Sequence, residues 1–247
     1  MLDVLALAAH RDDVEQTCGG TLLKMAERGY RTGILDLTQG EMGTRGTPDD
    51  RAREAQDAAR LLKVSFRHAL DIPDGRVENT WENRIKIARV IREQRPRVLI
   101  LPYWKGRHPD HYTASVLGYE AAFLAGLKKL GGTPGSHDGA EGISQLAPHR
   151  PFKIVYASLY YDVRPTFVVD ITDQFETRFQ ALMAYRSQYS DQTSGSGLFP
   201  AENEIRMRME SMASFYGLLA GVKYAEPFVQ KEVALVEDLA AIPVQSI

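Results

Sequence analysis

The chain has 247 residues, of which 44% are hydrophobic and 25% charged, with a formal net charge of -2. This is the composition of a folded globular protein, and the near-neutral charge argues against a nucleic-acid-binding surface, which needs a basic face. Its one cysteine, Cys18, excludes an intramolecular disulfide and an all-thiolate metal site, and no apolar run approaches the roughly 20 residues of a membrane span. We therefore expect a cytoplasmic protein with no membrane and no nucleic-acid partner.

The first half of the chain predicts strands that alternate with helices. The expected strands are residues 2–9, 32–38, 66–70 and 97–101, and the expected helices are residues 14–28, 49–62, 81–93 and 112–130. Strands alternating with helices at this spacing indicate βαβ units and a mainly parallel sheet.

The second half is less regular. Residues 131–150 are rich in Gly, Ser, Pro and His and predict a long loop or lid. Residues 153–161 and 167–171 predict two further strands, paired as a hairpin, and residues 172–188 and 202–219 predict helices. No interdomain linker is apparent. The sequence predicts one α/β domain over residues 1–247, with a Rossmann-like, mainly parallel sheet and flanking helices.

Two histidine- and aspartate-rich segments follow predicted strands. The first runs from Ala8 to Asp13 and the second from Arg107 to His111. Each precedes a helical pattern, so both should lie at the carboxyl ends of strands, where open α/β sheets build their sites. Nitrogen and oxygen ligands with one open position are typical of a catalytic zinc. The pair of segments predicts a metal-dependent hydrolase.

The same segments carry a resemblance to a known family. The chain resembles the LmbE-like (PIG-L) zinc-dependent N-acetylglucosaminyl deacetylases, whose members typically carry Ala-His-Pro-Asp-Asp and later His-Pro-Asp-His. It resembles more narrowly the bacillithiol-biosynthesis deacetylases, which remove acetate from N-acetylglucosaminyl malate. That closer likeness rests on residues 40–47, 107–111, 185–189 and 224–228. Arg11 stands where many members have proline, which affects the expected loop shape and substrate orientation.

Chemical roles can be predicted for these residues, and the resemblance implies the same ones. His10 and Asp13 can face one metal across a strand-to-helix turn, and His111 completes three ligands. Asp12 beside them is the expected general base toward water activated by the metal. His108 is the expected group for the oxyanion and the leaving amine. We expect Asp110 to orient the imidazole of His108 and favour its cationic form.

Each of these residues also has a simpler interpretation. Asp12 or Asp13 can cap the helix that begins near Val14, and Asp110 can cap the helix after Pro109. A single histidine at a strand end is more often structural than a ligand. Two linked segments in the right topological places favour the catalytic interpretation.

Substrate contacts are predicted at Arg51, Glu41 and Arg107. Arginine can bind the carboxylate of malate with two hydrogen bonds. The resemblance favours Arg51 for sugar binding and Arg107 near the catalytic cluster, whereas Glu41 can accept bonds from sugar hydroxyls or merely stabilise its loop. Packing and loop-anchoring roles are expected for three residues of the segment 185–189: Tyr185, Gln188 and Tyr189.

The sequence leaves alternatives open for both the function and the cofactor. The leading hypothesis is deacetylation of N-acetylglucosaminyl malate. Another zinc amidase or deacetylase, acting on a thiol-sugar conjugate or amino sugar, is the second hypothesis, and a non-catalytic metal or nucleotide module the third. Zn²⁺ is the expected cofactor, although two histidines and one aspartate also accept Fe²⁺, cobalt or manganese. The resemblance implies a homo-oligomer, a trimer or hexamer, that acts on a small sugar.

Overall fold

The computed structural model describes residues 1–131, 142–158, 163–190 and 200–244. Its sheet has seven strands: β1 (Val4–Ala8), β2 (Thr32–Asp36), β3 (Phe66–Ala69), β4 (Val98–Pro102), β5 (Lys153–Ala157), β6 (Phe167–Asp170) and β7 (Ala225–Val229). Eight α-helices accompany them in these ranges: α1 (Asp13–Thr17), α2 (Gly19–Glu27), α3 (Pro48–Leu61), α4 (Trp81–Gln94), α5 (Pro109–Ala125), α6 (Phe175–Met183), α7 (Arg186–Tyr189) and α8 (Glu202–Leu218).

The strand order is β3-β2-β1-β4-β5-β7-β6, and the first five strands of that order are parallel. The chain runs outward from β1 through β2 to β3, then returns to β4 on the other side of β1. The loops after β1 and β4 therefore diverge and leave a crevice at the carboxyl edge, where such sheets bind ligands. The predicted Rossmann-like α/β domain is confirmed.

Side chains of the central strands alternate between two cores. Leu5, Leu7 and Leu99 belong to one apolar cluster, which includes Ile87 of α4 and Leu117 of α5. Ala6, Ile34 and Ile100 belong to a second apolar cluster, which includes Val14 of α1 and Leu22 of α2. This alternation is that of a strand buried on both faces. Within the described ranges, no helix is both long and apolar enough to cross a membrane.

The predicted hairpin of residues 153–161 with 167–171 is wrong. β7, which the sequence analysis did not predict, lies between β5 and β6 and runs antiparallel to both. Pro227 within β7 weakens a strand pattern in the sequence, because proline cannot donate to a ladder. Residues 159–161, at the end of the first strand of this predicted hairpin, lie outside the described residues.

The helix predicted over residues 14–28 is two helices that break at Cys18, whose φ is -145°. The break gives α2 an amino terminus of its own, and a buried carboxylate binds there. Glu226 of β7 accepts the backbone N–H groups of Gly20 at 2.9 Å and Thr21 at 2.7 Å, and Arg178 pairs with it at 3.0 Å. A negative charge at a helix amino terminus is stabilising. β7 thereby anchors the helix pair behind the first histidine segment.

The structure also differs from the predictions for two other ranges. The helix predicted over residues 172–188 ends at Met183 and resumes as α7, and Tyr185 between the two turns inward with none of its surface exposed. The loop or lid predicted over residues 131–150 falls partly outside the described residues, at 132–141. Its described end is anchored, because the guanidinium of Arg92 donates to the carbonyls of Ile143 and Leu146.

Candidate active site

The structure brings His10, Asp13 and His111 together at the crevice. His10 Nδ1 lies 3.1 Å from His111 Nε2 and 3.5 Å from one oxygen of Asp13, whose other oxygen lies 3.2 Å from His111 Nε2. Donors bound to a tetrahedral zinc at about 2.0–2.2 Å stand roughly 3.3–3.5 Å apart. The spacing of the three side chains therefore fits a small divalent cation.

His108 lies against the two other imidazoles. Its ring centre is 4.7 Å from that of His10 and 4.9 Å from that of His111, and ring nitrogens of the three lie close enough to share a metal. Its Nδ1 accepts the backbone N–H of Asp110 at 3.2 Å, so His108 caps α5. Burial and the positive charges of His10 and His111 lower its pKa. The charge of Asp110 acts in the opposite direction and raises this pKa, which is the effect expected of it.

The carboxylate of Asp110 is directed at His10, which corrects the predicted contact with His108. One of its oxygens lies 3.4 Å from His10 Nε2 and accepts the N–H of Gly75 at 2.8 Å. The other oxygen accepts the N–H of Val77 at 3.2 Å. Asp110 thus meets His108 through its backbone and orients His10 through its side chain.

Asp74 is a site residue that the sequence analysis missed. Its Oδ1 lies 3.1 Å from His10 Nε2, and its Oδ2 accepts the N–H of Met42 at 3.0 Å. Histidine ligands of metals commonly donate their second ring N–H to a carboxylate, which fixes the ring. Although His10, Asp74 and Asp110 form another possible cation site, they fit this supporting role better, since the opposite nitrogen of His10 faces Asp13 and His111. Asp74 follows β3 in a Pro-Asp-Gly turn, a position that could have marked it.

The charges around His10 favour a cation. Burial alone lowers the pKa of His10, but the charge of Asp13 and hydrogen bonds to Asp110, Asp13 and Asp74 raise it to about 12. Burial likewise opposes ionisation of Asp13, yet His111 and His10 hold the pKa of its carboxyl well below its usual range. Asp13, Asp74 and Asp110 thus bring three carboxylates to the imidazoles of His10 and His111, an acidic setting that suits a divalent cation.

Asp12 is held beside this cluster by three donors. One oxygen accepts from Arg51 at 3.0 Å, and the other from Tyr189 at 2.5 Å and Gln16 at 3.2 Å. Although Asp12 precedes α1, its side chain makes no capping bond, which disfavours the helix-cap interpretation. Tyr189, expected to pack, contacts the candidate base.

The three predicted substrate residues occupy different positions. Arg51 is buried against Asp12 and under Gly40, where a Cβ would lie 3.1 Å from the guanidinium. Glu41 is exposed, with a carboxylate that accepts the N–H of Asp74 at 2.7 Å. Arg107 is exposed in the loop that carries His108. Their contact with a substrate stays a prediction.

A small cleft lies beside Asp13 and His111. Its wall includes Tyr103 and Lys105, and the remaining lining is mostly apolar. Cys18 lies in this lining, buried as expected, and burial raises the pKa of its thiol.

The chain is similar to several known proteins. The family model described as GlcNAc-PI de-N-acetylase (PIG-L) matches residues 5–122. The diacetylchitobiose deacetylase of Thermococcus kodakarensis is 32% identical over 235 residues, which cover 90% of this chain and 80% of that protein. The crystal structure of the conserved protein TT1542 from Thermus thermophilus has a TM-score of 0.82 and 37% identity, and the match covers 96% of this chain and 98% of that one.

A third relative has a different chemistry. The 4-oxalmesaconate hydratase of Pseudomonas putida is 26% identical over 198 residues, which cover 74% of this chain and 73% of that protein. The family therefore does not fix the reaction, which has to be argued from the site. The extent and identity of the match to the Thermococcus protein nevertheless establish kinship: the chain belongs to the PIG-L (GlcNAc-PI de-N-acetylase) family.

Proposed function

We propose that this chain is a metal-dependent N-deacetylase that removes the acetyl group from an N-acetylglucosamine conjugate. The observation that carries the proposal is the ligand spacing of His10, Asp13 and His111 with the carboxylate of Asp12 beside them. Held by these three residues, a divalent metal would lower the pKa of a water molecule to roughly 7 and polarise the acetyl carbonyl. Zinc fits these donors, and iron remains compatible with them.

Asp12 takes the proton from the attacking water. A carboxylate offers about four lone-pair sites, and Arg51, Tyr189 and Gln16 occupy three of those on Asp12. One site is left for the water. The three donors also fix the direction in which Asp12 accepts, so little reorganisation is needed during the step.

His108 completes the reaction. Because its Nδ1 accepts the N–H of Asp110, its Nε2 carries the proton of the neutral ring. That N–H donates to the oxyanion as water adds to the carbonyl, and Asp12, which holds the proton of the water, gives it to the leaving nitrogen as the bond from nitrogen to carbon breaks. The proton given up by water thus ends on the amine, and the products are acetate and the free amino sugar.

We propose N-acetylglucosaminyl malate as the substrate. Lys105 lines the cleft, and Arg107 lies exposed two residues later in the same loop. These cations suit a conjugate that carries carboxylates. The alternative is a related zinc amidase or deacetylase acting on another thiol-sugar conjugate or on an amino sugar, and acetate release from a panel of N-acetylated sugars decides between them.

We also propose that the chain forms a homo-oligomer. One face of α5 and its continuation is apolar and exposed: Tyr112, Val116, Tyr119, Phe123 and Leu127 are each between 36% and 53% exposed. Its opposite face packs in the core, so the helix is apolar on both sides, a pattern typical of buried helices. The stripe itself carries no charge, although Arg150 and Lys231 lie over the rings of Phe123 and Tyr119. An apolar stripe of this kind can pack against the same stripe of a second copy of this chain.

The malate conjugate is expected to have a higher kcat/KM than N-acetylglucosamine, because remote binding energy acts at the reacting centre. Arg107→Ala should raise KM for the conjugate and leave N-acetylglucosamine turnover unchanged. Arg97→Ala, at an exposed arginine bordering the opposite end of β4, is the control. Steady-state acetate release measures both effects. Equal efficiency on the two sugars would contradict the malate assignment and leave the deacetylase proposal standing.

The two adjacent aspartates should behave differently. Asp13→Ala and His111→Ala are expected to lose metal and activity together. Asp12→Asn and His108→Ala should keep near-stoichiometric metal while kcat falls by roughly 10²–10⁴-fold. Metal analysis, melting temperature and acetate release on the four variants measure this. Full turnover by Asp12→Asn with metal bound would refute the mechanism.

Asp74→Asn is expected to weaken metal binding by roughly 10–100-fold, because an amide orients and polarises the His10 ring less than a carboxylate does. Competition with a chelator gives the affinity. Asp71→Asn is the matched control, since Asp71 lies three residues earlier and pairs with Lys86 on the surface. If the two variants retain the same metal affinity, Asp74 has no part in holding the metal.

The double substitution Tyr119→Glu with Phe123→Glu is expected to shift the oligomer to monomer, because charges on a buried apolar interface are costly. Light scattering measures the mass. Met207→Glu, at an exposed apolar position on α8, should leave the mass unchanged. A double variant with unaltered mass would exclude this face as the interface.

A further inference from the structure

The backbone carbonyl of Arg11 lies between His10 and Asp12, in the middle of the ligand segment. Two buried side chains donate to this one oxygen: the hydroxyl of Tyr185 and the guanidinium of Arg67. Tyr185 comes from the junction of α6 and α7, and Arg67 from β3. Elements distant in sequence thus converge on a residue that bears no ligand atom itself.

Arg67 is immobilised by its other bonds. Its side chain is 3% exposed, and it donates to both oxygens of Asp36 at 2.9 and 3.0 Å and to Glu15 at 2.6 Å. A further bond reaches the carbonyl of Ala55 at 3.3 Å. With the bond to Arg11, all five N–H donors of the guanidinium are used. The cation is therefore a fixed point against which the Arg11 carbonyl is held.

Tyr185 is equally constrained. None of its surface is exposed, and its ring packs among alanine and leucine side chains of α2, α3 and α6. Burial, followed by the charge of Glu15, raises the pKa of its hydroxyl well above the usual range, so the group stays protonated as a donor. Phenylalanine would fill the same space and lack only the hydroxyl.

The side chain of Arg11 adds a third attachment. It is buried and donates to the carbonyl of Pro48 at 2.8 Å, at the start of the helix that carries Arg51. A proline at this position would restrict the backbone through its ring. Here hydrogen bonds to the carbonyl and from the side chain restrict the same residue.

We propose that Tyr185 is a positioning residue for the metal: its hydroxyl fixes the Arg11 carbonyl, and through it the segment that presents His10 and Asp13 to His111. This inference rests on the proposed metal site. Three ligands already at coordinating distances need little rearrangement when a cation arrives, so loss of the tether should appear first as loss of metal affinity.

The test is Tyr185→Phe, with Tyr156→Phe as its matched control. Tyr156 is also buried, but its hydroxyl has no hydrogen-bond partner among the described residues and does not line the cleft. Apoprotein of each form is titrated with Co²⁺ in competition with a chelator, and the visible absorption of the cobalt protein is recorded. For Tyr185→Phe we expect affinity about 10-fold lower, the lower end of losses seen for supporting residues, an altered cobalt spectrum, and reduced kcat at unchanged KM. Tyr156→Phe should match the wild-type protein in each measurement.

The outcomes separate the two proposals. If the wild-type protein binds no cobalt, the proposed metal site is wrong. If it binds cobalt and Tyr185→Phe has the wild-type affinity and spectrum, Tyr185 is not a positioning residue. Equal weakening in both variants would also overturn the inference, since it would indicate general loosening. Should Tyr185→Phe fail to fold, Arg67→Lys tests the same carbonyl, because lysine keeps the charge and lacks the fork of donors; wild-type cobalt affinity in that variant would refute it.

Discussion

The parallel pairing of β1 with β4 is the constraint on which the site depends. Ala6 lies opposite Ile100 in this ladder, so the two strands reach the carboxyl edge of the sheet at the same level. The chain then leaves β1 toward β2 and leaves β4 toward β5, in opposite directions. The loops that carry His10 and His111, which are 101 residues apart in the sequence, therefore face each other across the open crevice, and the two imidazoles meet there.

Burial of unlike charges gives this crevice its character. Carboxylates taken out of water are costly unless paired, and here Asp13, Asp74 and Asp110 share the imidazole of His10. Behind them Glu15 and Asp36 share the guanidinium of Arg67. The inner pair of carboxylates has a permanent cation, whereas Asp13, Asp74 and Asp110 are paired only with the titratable imidazoles of His10 and His111. That difference distinguishes a structural ion network from a site prepared for a metal.

The sequence predicted the parts of the molecule that depend on local pattern. Alternation of strands and helices gave the α/β class, and the positions of His10 and His111 after strands located the crevice. It could not predict β7, because Pro227 interrupts the strand pattern and pairing with β5 and β6 is decided by tertiary contacts. Nor could it predict that Asp110 turns toward His10, since that direction depends on the backbone amides of a distant turn. Asp74 was missed because a Pro-Asp-Gly turn is common and carries no metal-ligand spacing.

The loop around Glu41 and Met42 is joined to the metal ligand His10 through a single residue. The carboxylate of Glu41 accepts the backbone N–H of Asp74. The carboxylate of Asp74 in turn accepts the N–H of Met42 and contacts the His10 ring. If the predicted contact of Glu41 with a sugar hydroxyl is formed, it acts on Asp74, the residue that contacts His10. Thermodynamic linkage makes such an effect reciprocal: whatever factor the sugar adds to metal affinity, the metal adds to sugar affinity. Under the proposed function, the loop would then couple two ligands of one protein, and substrate affinity would depend on metal supply.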